Sequence, residues 1–131
     1  MIEITNQDIF GKVVADALVV VGQRNDLPEA DRTRCINAIA KAAVRIETSG
    51  CFMEFDAGED FLLIWSDSNE IYEINSDDRC QCKAQEHDIV CWHRVAKRLL
   101  ERYNEAMVEA FLKNAGLRRV AVHAALEGET I

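Results

Sequence analysis

The soft-donor side chains of this chain crowd into fourteen residues. Cys80-Gln81-Cys82 is followed, after eight residues, by Cys91-Trp92-His93. Thiolates and an imidazole suit zinc, and a structural zinc site takes four such donors in a tetrahedron. Cys80 and Cys82 are two apart, so on an extended segment both sulfurs face one side. Cys91 and His93 would diverge inside a regular helix, which places Cys91 just before a helix and His93 in its first turn. Three thiolates around Zn²⁺ carry a formal negative charge, and a helix N-terminus favours negative charge. A small domain gains folding free energy directly from such an ion. The competing readings are two buried cysteine pairs with a surface histidine, or a Cys80–Cys82 redox dithiol. The latter would close a strained ring, and no thioredoxin-like unit surrounds it.

Chemistry on a substrate is not expected. Four strong ligands leave zinc no open position for water. Zinc deaminases pair a His- or Cys-x-Glu with a separate Cys-x-x-Cys, whereas Gln81 stands between the cysteines here. Neither a phosphate loop nor a nucleophile elbow is present. His87 is the alternative fourth ligand, though His93 is preferred because it pairs with Cys91. Cys35 and Cys51 read as small buried hydrophobes, and His123 as a residue without a role.

The elements that must position these donors follow from periodicity. Ile9, Phe10, Val13, Val14, Ala17, Leu18 and Val21 repeat at helical spacing. Thr5 or Asn6 caps that helix and Gly22 ends it. Asp26-Leu27-Pro28-Glu29 opens a second helix, striped by Ile36, Ile39, Ala40, Ala43 and Ile46 and stopped by Gly50. Three strands follow, over 51–55, 61–65 and 71–74, as an antiparallel meander. From Trp92 to Leu112 runs a long amphipathic helix whose apolar stripe includes Leu99, Tyr103, Met107 and Phe111. The fold class is α+β: a helical hairpin (1–50), a small antiparallel sheet with a zinc knuckle and a long helix (51–115), and a short tail (116–131), all in one domain of 131 residues. Helix one carries more apolar surface than a hairpin needs. It can cover a face of the sheet, or meet a second copy or another protein; packing within the chain is the preferred use.

The pattern Cys-x-Cys, eight residues, Cys-x-His resembles the SWIM-type zinc finger, a short β-β-α unit. The strands at 61–65 and 71–74 stand in the expected place, and Ala96, three after the histidine, matches a frequent small residue. Lys83 stands where members often have proline, and Ile89-Val90 where they often have glycine. The resemblance covers roughly residues 60–105 and implies zinc held by Cys80, Cys82, Cys91 and His93. It also implies contact with DNA or protein.

Net charge is −8, but its distribution is uneven. Residues 1–78 hold 6 basic and 16 acidic side chains, and residues 79–119 hold 9 and 5. Arg94, Lys97, Arg98 and Arg102 lie opposite the apolar stripe, with Lys83 and Arg79 beside the metal loop and Arg118 and Arg119 beyond the helix. Such a face can touch phosphates, so DNA is the first expected partner and Lys83, Arg94, Lys97, Arg98 and Arg102 its contacts. The alternative is a protein-interaction adaptor that uses the acidic N-terminal half. Trp92, the one candidate for base stacking, sits with the core stripe. No apolar run approaches about 18 residues, so no membrane span is expected. Met1–Thr5 lacks the basic and apolar regions of a signal peptide. Five cysteines fit a reducing compartment, and a cytoplasmic location is the expectation.

Overall fold

A computed structural model describes residues 4–48, 51–54, 61–65, 70–75, 80 and 91–115. Helix α1 (Gln7–Gly22) starts at Asn6, whose extended backbone frees its side chain to accept a hydrogen bond from Ile9 N at 3.0 Å. That contact satisfies one of the orphan donors of the first turn. Helix α2 (Glu29–Thr48) begins where the Pro28 carbonyl accepts from Arg32 N at 3.0 Å. Glu29 and Asp31 in its first turn and Arg45 in its last complement the helix dipole.

Strands β1 (Cys51–Glu54), β2 (Phe61–Trp65) and β3 (Ile71–Ile74) form an antiparallel sheet in the order β1-β2-β3. Leu62 pairs with Ile74 and Ile64 with Tyr72. Residues two apart share a face, so Leu62, Ile64, Tyr72 and Ile74 present one surface. Leu62, Ile64 and Ile74 on it are fully buried. Helix α3 (Trp92–Asn114) lies against that sheet through β2 and β3, and against α1 and α2 on its other sides. The architecture is α+β, as expected.

Tyr103, 4% exposed, ties the chain's beginning to α3. Its hydroxyl accepts from Thr5 N and Asn6 N, each at 3.1 Å, and its ring meets Phe10 edge to face at 5.8 Å. Two sequence expectations need correction here. Helix α1 packs within the chain, as preferred, but on α2 and α3 and not over the sheet, because α3 itself occupies the sheet's buried face. Phe111, expected in the buried stripe, is 70% exposed. The last turns of α3 project past the elements that cover its middle, and among the described residues nothing buries that ring. Gly50 and Phe55 lie outside the described residues.

Candidate metal centre

The centre is built where the chain beyond β3 meets the start of α3. Cys91 is the N-cap of α3, with an extended backbone and no side-chain capping bond, and His93 is the second helical residue. An extended residue followed by a helical one turns both side chains inward, which a continuous helix would not do. Both are buried, as is Cys80, which arrives shortly after β3.

The donor atoms converge. His93 Nδ1 lies 3.3 Å from Cys91 Sγ and 3.7 Å from Cys80 Sγ, and all three donors fall within 4.8 Å of one another. Tetrahedral zinc, with bonds of about 2.3 Å to sulfur and about 2.0 Å to nitrogen, separates the two by about 3.5 Å. The two sulfur–nitrogen distances straddle that value, so the donor set fits a tetrahedral ion in both chemistry and spacing. The opposite ring nitrogen, Nε2, is buried with no hydrogen-bond partner among the described residues. The polar engagement of the ring is thus on its sulfur side. No acidic residue stands in the first turn of α3, and its positive end would favour thiolates bound to an ion there.

Aromatic rings wall the histidine. Trp92 lies 4.1 Å and Tyr72 4.9 Å from it, centroid to centroid. Over Trp92 lie Lys41 Nζ at 5.3 Å and Arg45 Cζ at 5.9 Å. Such cation–π contacts are modest individually, but together with His93 they occupy the indole faces that a nucleic-acid base would stack on. Tyr72 escaped the sequence reading. Its only signal was its place two residues from Ile74 on the buried face of β3.

Cys82, Lys83, His87, Arg79, Arg118, Arg119 and His123 lie outside the described residues. Cys35 is half-buried in α2 and is not one of the clustered donors. The expected basic face splits. Arg98 and Arg102 are exposed, and Arg94 is half-buried with its Nε enclosed. Lys97 does not belong to an exposed face: it is 2% exposed, with Nζ 3.5 Å from Glu101 Oε1. It stands one turn beyond His93, on the edge of the arc that faces the core, and its long stem fills that edge. The remaining arginines border a groove of about 780 Å³ between the three helices. Val13, Ala17 and Val20 of α1, Ile39 of α2 and Val95 and Leu99 of α3 form its apolar lining, and Cys91 is also part of its wall.

No family model, no curated protein sequence and no solved structure matches this chain. No described helix is long and apolar enough to cross a membrane. The defined class is therefore a small α+β protein with a buried Cys-Cys-His group able to hold a metal ion.

Proposed function

We propose that this chain is a non-catalytic, zinc-organised protein-interaction module of SWIM type. Cys80, Cys91 and His93 hold the ion, and Cys82 completes the tetrahedron. The ion supplies folding free energy by cross-linking the chain beyond β3 to the first turn of α3. The convergence of two sulfurs on His93 Nδ1 at 3.3 and 3.7 Å carries the metal reading. The groove beside it supports a protein as the partner. An apolar floor rimmed by charge is what a protein interface presents, whereas phosphate contacts need only exposed cations.

A second reading, nucleic-acid binding through Arg94, Arg98, Arg102 and Lys83, is supported by the basic excess of residues 79–119. It loses Lys97 as a contact. Titration of labelled duplex and single-stranded DNA across salt concentration separates the two, because phosphate binding weakens steeply with salt. The protein-interaction reading expects no binding at low salt. Tight, salt-sensitive binding that Arg98→Ala with Arg102→Ala abolishes would replace it with the second reading. Elemental analysis of the purified chain tests the metal itself, with one zinc per chain expected.

A further inference from the structure

The α3 wall of the groove has an ordered charge pattern. Arg94, Arg98 and Arg102 come first, then Glu105 and Glu109. At about 100° per residue these five side chains share an arc of about 80°, and at 1.5 Å per residue the stripe runs about 22 Å. Along the helix itself the order is unfavourable, even with Arg98 engaged by a partner in its own chain and Asp16 of α1 sharing the groove. Arg94 with Arg98, Arg98 with Arg102, and Glu105 with Glu109 are like-charged neighbours four residues apart, which destabilise a helix. Only Arg102 and Glu105 are neighbours of opposite sign within the stripe.

The same order is self-complementary when two copies run antiparallel. One register sets Arg94 opposite the partner's Glu109 and Arg98 opposite the partner's Glu105. A two-fold axis makes each pair twice. That register also brings Leu112, 40% exposed and on the same arc, over the partner's Cys91. Val20, 56% exposed on the α1 wall, gives the interface apolar surface to bury.

We propose that this groove is the interface of a homodimer in which α3 packs antiparallel against α3 of a second copy, shielding a metal-ligand sulfur of each chain. The proposal deepens the protein-interaction reading and rests on it. An unrelated acidic helix would match the arginines but not the glutamates, and it would not require the two sets to mirror each other.

Sedimentation velocity at low salt and micromolar concentration tests it, on wild type and on Arg98→Glu, Glu105→Arg and the double variant. Both sites are exposed, so folding is expected to survive, and melting and zinc content are measured on every sample. Wild type should sediment as two chains. Each single swap should raise the dimer dissociation constant roughly tenfold or more, because it sets like charges opposite each other twice. The double swap restores both pairs and should recover the dimer. A chelator should also strip zinc more slowly from wild type than from Arg98→Glu. A monomeric wild type overturns the proposal. So do single swaps without effect, or a double swap no better than either. A monomer carrying one zinc per chain overturns the dimer and leaves the metal reading standing. A dimer whose purified chains carry no zinc supports the interface and overturns the metal reading together with the shielding of a ligand sulfur.

Discussion

Replacing Cys91 by serine removes one donor from the centre while changing almost nothing else. The side chain is 3% exposed and keeps nearly its size. Cys91 occupies the N-cap of α3 without making a capping bond, and serine is among the best N-cap residues. Any intrinsic effect on the helix should thus be stabilising, which offsets part of the cost of burying a hydroxyl, and comparison with and without chelator isolates the loss that comes from the site. Structural zinc contributes roughly 10–16 kcal/mol in finger peptides, so one of four ligands accounts for about 3 kcal/mol. That is a large part of a domain's usual stability of roughly 5–15 kcal/mol. Unfolding entropy of about 2.1 cal/mol/K per residue gives roughly 0.28 kcal/mol/K for 131 residues. Cys91→Ser should therefore lower Tm by about 11 °C and abolish stoichiometric zinc. Elemental analysis and thermal melting, with and without chelator, measure both. Cys35→Ser, in α2 outside the cluster, is the control and should keep zinc with a Tm change under about 4 °C, the equivalent of about 1 kcal/mol. Full zinc and an unshifted melt in Cys91→Ser would refute the ligand assignment. So would a wild type whose melt ignores chelation.

Three other outcomes follow from the same geometry. Tyr103→Phe keeps the ring on Phe10 but strands the Thr5 and Asn6 amides. It should cost about 1–2 kcal/mol and speed hydrogen exchange at those two amides. Unchanged exchange there would show that the hydroxyl does not hold the N-terminus. Lys97→Ala removes a buried stem and should cost about 1–3 kcal/mol, whereas exposed Arg102→Ala should cost under about 0.5 kcal/mol. Equal chemical-denaturation midpoints for the two would contradict the burial of Lys97. Asp26 accepts two hydrogen bonds from the Arg24 guanidinium, at 2.7 and 2.8 Å, which hold its pKa at about 2 instead of 3.8. Because the folded value is depressed, the pair's contribution is present above the ordinary carboxylate range and is lost as pH falls through about 2. Carboxyl NMR should find that midpoint, and Arg24→Gln should return it to the ordinary range. An Asp26 that titrates normally in wild type would mean the pair does not persist in solution.

Much of the fold was legible in the chain because element type is a matter of local period. The short apolar run at residues 61–65, the turn-bounded run at 71–74 and the three-to-four spacing after Trp92 mark strand and helix wherever they occur. The grouping of Cys80, Cys91 and His93 was legible for a related reason. Two-residue spacings at an extended segment and at a helix start constrain side-chain direction within a few bonds, and Cys91 and His93 stand as that geometry requires. Contacts between Thr5 and Tyr103, 98 positions apart, leave no such local trace.

Sequence by itself determined the order of helices and strands, the start of α1 at Thr5 or Asn6 and the grouping of the soft donors beside α3. Tertiary structure alone decided that Lys97 is buried while Phe111 is exposed, that α1 leans on helices instead of the sheet, and that three arginines overlook an apolar groove. Periodicity orients each helix about its own axis but says nothing of which distant element covers it at each height. Burial is set by that covering neighbour, and the neighbour is chosen only when the whole chain packs.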